Sequence, residues 1–131
     1  MVIDSPALLA ILFDEQERPA FCTAIDADST RLASAATLLE CSMVVLGRLG
    51  EPGGAELGAL IRAADIEAAP FGAGQVEIAV DAFRRFGKGR HPAGLNFGDC
   101  FSYVLAKATG EPLLFKGDDF IHTDVTAALV P

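Results

Sequence analysis

The chain has 131 residues, 51% of them hydrophobic, with 10 Lys and Arg against 18 Asp and Glu for a formal charge of −8. That size suits one domain with one core, the apolar share argues against a disordered chain, and no apolar run approaches the ~18 residues that cross a bilayer. The acidic balance argues against a uniformly basic nucleic-acid surface, although Arg84, Arg85, Lys88 and Arg90 form a basic patch within seven positions.

In chain order, Val2-Ile3 reads as a short buried strand. It has no basic n-region before it, so no signal peptide is expected and a cytoplasmic, membrane-free protein is. Ser5-Pro6 carries a helix start, with Ser at the cap and Pro at the first helical position, and Leu8, Leu9 and Leu12 on the inner face. A second helix follows from about Glu17 to Asp26, then a strand over Arg31-Leu32-Ala33. Thr37 opens a helix to about Leu49, with Leu38, Cys41, Val45 and Leu49 as its apolar stripe. Gly50 and Pro52-Gly53-Gly54 break it before another helix from Ala55 to Ala64.

Ile66 to Ala69 reads as a weak strand ended by Pro70, and Gln75 to Phe86 as an amphipathic helix with Val76, Ala79, Phe83 and Phe86 at helical spacing. Gly87 to Leu95 is a loop. Gly98 to Thr109 is a helix with Phe101, Val104, Leu105 and Ala108 facing inward, stopped by Gly110. Leu113-Leu114-Phe115 is a strand, and Val125 to Leu129 offers one more. Short strands alternating with longer helices favour an α/β protein on a mainly parallel sheet, in one unit spanning residues 1–131.

Acidic residues recur at the ends of apolar runs: Asp4 after Met-Val-Ile, Glu40 after Leu38-Leu39, Asp99 in Asn96-Phe97-Gly98-Asp99, and Asp118-Asp119 after Leu113-Leu114-Phe115. Each has a local explanation. Asp4 and Asp99 lie where a helix dipole favours negative charge, Thr37-x-x-Glu40 matches a capping box, and the Asp pair suits a turn. Jointly they mean more, because strand C-terminal ends and helix N-termini share one rim of a parallel sheet. Capping gives no reason to gather mutually repelling carboxylates, whereas a hard divalent cation does. Cys22, Cys41 and Cys100 contain no C-x-x-C, which argues against zinc or a disulfide framework and for small buried thiols. His91 and His122 read as loop or surface residues.

With these residues in view, Met1-Val2-Ile3-Asp4-Ser5-Pro6-Ala7, Ala36-Thr37-Leu38-Leu39-Glu40 and above all Leu95-Asn96-Phe97-Gly98-Asp99-Cys100-Phe101-Ser102-Tyr103 resemble the PIN-domain family. Pro112 to Phe120 is similar to its VapC branch, the toxins of type II toxin–antitoxin pairs. The resemblance implies a three-layer α/β/α sandwich and an endoribonuclease dependent on Mg²⁺, with Mn²⁺ as substitute. Asp4, Glu40, Asp99 and a fourth acid would hold the metal and form the catalytic set. Many relatives read Thr-x-Asp at the fourth position, where this chain has Phe115-Lys116-Gly117-Asp118-Asp119; Asp118 is preferred and Asp119 is the alternative. Ser5, Thr37 and Asn96 would support the ligands or contact phosphate, and the basic patch with Lys116 would hold the RNA backbone. The resemblance further implies products with 5′-phosphate and 3′-hydroxyl ends, a cognate VapB-type antitoxin over the groove, and a homodimer. Two rival readings are a receiver-like phosphoacceptor domain and a catalytically silent interaction protein; the first expects an acidic pair after the first strand, where this chain has Asp4 alone.

Overall fold

The computed structural model describes residues 1–129. Val2–Ile3 (β1) leads into Ser5–Leu12 (α1) and Arg18–Ala27 (α2), and Leu32–Ser34 (β2) leads directly into Ala35–Ala63 (α3). Glu67–Ala69 (β3), Val76–Phe86 (α4), Phe97–Thr109 (α5) and Leu113–Leu114 (β4) complete the set, with short 3₁₀ turns at Ala73–Gln75 and Asp119–His122. The four strands are parallel, in the order β3-β2-β1-β4. Val2 stands opposite both Leu32 and Leu113, and Ile3 opposite Leu114, so β1 is central.

Alternation along these very short strands sorts the core into two halves. Ile3, Ala33 and Leu114 face a cluster with Leu8, Ile11, Phe21, Cys41, Val45 and Leu57 from α1, α2 and α3. Val2 and Leu113 face the other, with Ala82, Phe86, Tyr103, Val104 and Leu105 from α4 and α5. Helices on both faces of a parallel sheet make the expected α/β/α sandwich.

Several local expectations change. The helix α1 starts at Ser5, with Asp4 as its N-cap in extended conformation (φ −84°, ψ 159°) and no capping bond from the Asp4 side chain. Its buried face is Ala7, Leu8, Ala10 and Ile11, while Leu9 and Leu12 are half-buried. The cap of α3 is Ser34, whose hydroxyl accepts from the Ala36 N–H, so helix begins before Thr37 and the Thr37-x-x-Glu40 box does not form. Gly50 does interrupt the helix at φ +67°. Winding resumes at once, with Pro52 in the new first turn, where no intrahelical N–H is needed. On α4, Ala82 and Phe86 are buried while Val76 and Phe83 stay exposed; on α5, Ala108 is exposed. The segment Val125 to Leu129 is not a strand. Its backbone covers the free edge of β4 through two bonds only, Leu113 N–H to Thr126 O at 2.8 Å and Ala128 N–H to Leu113 O at 2.9 Å.

Candidate active site

The rim at the C-terminal ends of β1 and β2, where α3 and α5 begin, collects the first three predicted acids. Asp4 follows β1, is 2% exposed, and accepts from the Ser102 hydroxyl of α5 at Oδ1, 2.6 Å away. Glu40 lies one and a half turns into α3. Its Oε1 accepts from the Ser5 hydroxyl, and its carboxylate rests against the backbone of Gly98. Asp99 is at the third position of α5, where a reciprocal capping box fixes it. The Asn96 side chain accepts from the Asp99 N–H at 2.9 Å, and Asp99 Oδ2 accepts from the Asn96 N–H at 3.0 Å. Asp4 therefore comes from a strand end, Glu40 from the second turn of α3 and Asp99 from the first turn of α5.

Electrostatics tie the three together. Burial pushes the Asp4 carboxyl up to about 7, against the opposing hydrogen bond from Ser102, with the negative charges of Asp99 and Glu40 adding to the rise. Asp99 is likewise raised, first by burial and further by the charges of Asp119 and Glu40. Among the described residues, no Lys or Arg forms an ion pair with Asp4, Glu40 or Asp99. Like charges at short range without a counter-ion are costly to hold. Among the described residues no three His, Cys, Asp or Glu side chains stand as a ready-made ligand cage. Repelling carboxylates tied to separate hydroxyl and amide donors have no reason to converge without a cation. An all-oxygen, negatively charged, uncompensated donor set is what Mg²⁺ or Mn²⁺ suits, so the residues fit the metal by chemistry.

The late acidic pair divides. Asp118 is exposed and lines a shallow hollow with Glu17, Phe21, Phe115 and Lys116. Asp119, at the start of a 3₁₀ turn, is the one whose charge bears on Asp99. Lys116 is engaged by Glu15 and, at 3.6 Å, by Glu17. Within the basic patch, Arg85 pairs with Asp124 at 3.4 Å and lies over the Phe86 ring, while Arg90 covers Phe83. Arg84, Lys88 and Arg90 have no carboxylate partner among the described residues. His91 Nδ1 accepts from the Ala93 N–H at 3.0 Å and its ring edge meets Phe86; His122 is exposed. The Cys41 thiol is buried beside Glu40 and raised to about 12, by burial first and then by the charges of Glu40 and Asp4. That keeps it protonated and unreactive.

Ser102 escapes sequence reasoning as a site residue. It is fully buried and joins Asp4 to Thr37, whose Oγ1 is 3.4 Å from the Ser102 oxygen. The available clue was its place three residues after Asp99, on the same helix face.

A model of the PIN domain matches residues 1–125. The chain is 50% identical to "VapC ribonuclease Mb0640" of Mycobacterium bovis and to "Ribonuclease VapC30" of Mycobacterium tuberculosis, each over 131 residues and the full length of both proteins. It is also 50% identical to "Ribonuclease VapC" of Mycolicibacterium smegmatis over 127 residues, 97% of this chain and 98% of that one. Among solved structures, the fold superposes on Mycobacterium tuberculosis VapC20, described as a sarcin-ricin loop cleaving toxin, with a TM-score of 0.77 over 95% of each chain at 13% identity.

Proposed function

Because the chain belongs to the PIN-domain family, in its VapC ribonuclease branch, we propose that it is an endoribonuclease toxin that hydrolyses RNA phosphodiesters with a divalent cation held by Asp4, Glu40 and Asp99. Residues 1–131 act as one such nuclease domain, in the cytoplasm. The observation carrying this reading is the gathering of three uncompensated carboxylates at one rim from β1, α3 and α5. The turn after β4 supplies a fourth acid; the influence of Asp119 on Asp99 favours Asp119 over Asp118. The receiver-like and catalytically silent readings give way to the ribonuclease relatives.

When bound, Mg²⁺ or Mn²⁺ would polarise a phosphodiester oxygen and lower the pKa of an attacking water. The chain's own residues do the rest. Ser5 holds Glu40 by one oxygen and Asn96 holds Asp99 by its backbone N–H, so both carboxylates keep fixed orientations. Burial keeps bulk water from Asp4. Arg84, Lys88 and Arg90, exposed on α4 and the loop before α5, neutralise RNA phosphates. Leu39, Met43 and Phe97, exposed by 62%, 65% and 80% beside the site, support a homodimer contact, and a VapB-type antitoxin would neutralise the groove.

The test is cleavage of RNA in Mg²⁺, with products bearing 5′-phosphate ends. Wild-type protein should cut; Asp99→Asn protein, and wild type in excess chelator, should not. Undiminished cutting in chelator would overturn the metal-dependent mechanism.

A further inference from the structure

The side chain of Ser102 is wholly enclosed and sits beside buried Tyr103, Val104 and Leu105. A hydroxyl there is costly unless fully bonded. It donates to Asp4 Oδ1 at 2.6 Å, short as charge-assisted O–H···O bonds are. A serine hydroxyl has one proton and spare acceptor capacity. With that proton on the Asp4 bond, the 3.4 Å approach of Thr37 Oγ1 has only one polarity: Thr37 donates and Ser102 accepts.

We propose that Thr37 and Ser102 form a directional hydroxyl relay whose role is to position Asp4, with Ser102 the positioning residue and Thr37 acting through it. The relay rests on the metal-site reading above and adds this chain's means of orienting the most buried ligand. Thr37 lies three residues before Glu40 on α3, and Ser102 three after Asp99 on α5. Each relay member therefore shares a helix face with a ligand. The three elements that supply the carboxylates are thus cross-linked by the relay itself. A common pattern results. Asp4 accepts at Oδ1 from Ser102, Glu40 at Oε1 from Ser5, and Asp99 at Oδ2 from the Asn96 N–H. Each carboxylate is pinned by a donor on one oxygen, which sets its rotation before any cation arrives.

The experiment is Mn²⁺ binding by calorimetry on the full chain, with thermal melting alongside. Ser102→Ala should bind about 10-fold more weakly than wild type. Thr37→Val should weaken binding by less, Thr37→Ser should restore it, and the Ser102→Ala/Thr37→Val double variant should bind no worse than Ser102→Ala alone. Wild-type affinity in Ser102→Ala overturns the relay while leaving the metal reading intact, as does full additivity in the double variant. A wild-type protein that takes up no Mn²⁺ overturns both. If Ser102→Ala fails to fold, the Thr37 pair decides: equal affinity in Thr37→Val and Thr37→Ser overturns the proposal.

Discussion

Gly98 and Glu40 lie so close that a β carbon on Gly98 would stand 2.5 Å from Glu40 Oε2. The glycine is therefore required by the approach of a side chain, not by a backbone angle. Gly98→Ala should push the flexible Glu40 carboxylate aside and leave the helix intact. We expect RNA cleavage to fall by about 10²-fold, as for a ligand misplaced by roughly an ångström, with little change in melting temperature. A Gly98→Ala protein that cuts at the wild-type rate would remove Glu40 from the site.

The mutual repulsion of Asp4, Glu40 and Asp99 predicts a trade between activity and stability. Asp99→Asn keeps an acceptor for the Asn96 N–H but removes one buried charge. In metal-free buffer its melting temperature should rise by a few degrees, about what 1 kcal/mol does to a domain of this size. Calorimetry in chelator would show it, and a drop would mean the charge is compensated.

Tyr103 donates to Asp124 at 2.7 Å and anchors the C-terminal segment to α5. Burial, and then the bond to Asp124, raise the Tyr103 phenol to about 12. Asp124 is lowered: burial opposes ionisation, but Tyr103, Lys107 and Arg85 outweigh it. The signs set a window. The Tyr103 contribution is present below the ordinary phenol pKa and lost as pH climbs toward 12. The Asp124 contribution is present above the ordinary carboxylate range and lost as pH falls through its depressed value. Tyr103→Phe should cost about 1 kcal/mol at neutral pH and flatten both flanks in urea denaturation across pH, without altering RNA cleavage.

Lys116 is tied to Glu15 and Glu17, whereas Arg84, Lys88 and Arg90 have no carboxylate partner among the described residues. Replacing the latter three by Ala should reduce the salt dependence of RNA binding by about 0.7 for each phosphate left without its cationic side chain. Lys116→Ala should leave that slope unchanged. An unchanged slope in the triple variant would take the patch out of RNA binding.

Leu39 and Met43 leave a wide apolar area open on α3. Leu39→Glu with Met43→Glu should convert a dimer to a monomer, read by light scattering during gel filtration. A wild-type protein already monomeric at micromolar concentration would exclude that contact.

What the sequence revealed follows the range of the forces involved. The start of α5 was legible because Asp99 suits the first turn of a helix, although its reciprocal cap with Asn96 was not read. The alternation of strands and helices gave the sandwich for the same local reason. Glu40 was legible as a candidate, but its partner was not: a capping box with Thr37 is the local solution, and the structure prefers Ser5, 35 residues away. Ser102 was hidden because its meaning depends on Asp4, separated by 98 residues. Helical spacing marked Val76 and Phe83 as apolar without saying that both stay partly open to solvent, Phe83 beneath Arg90.

The central place of β1 has a consequence for synthesis. Val2 pairs with Leu113 and Asp4 accepts from Ser102, so β1 is completed only by elements made much later in the chain. Contacts of such long range form late. A nascent chain that still lacks α5 and β4 carries Asp4 and Glu40 without their arrangement, so activity is deferred until those elements have been made.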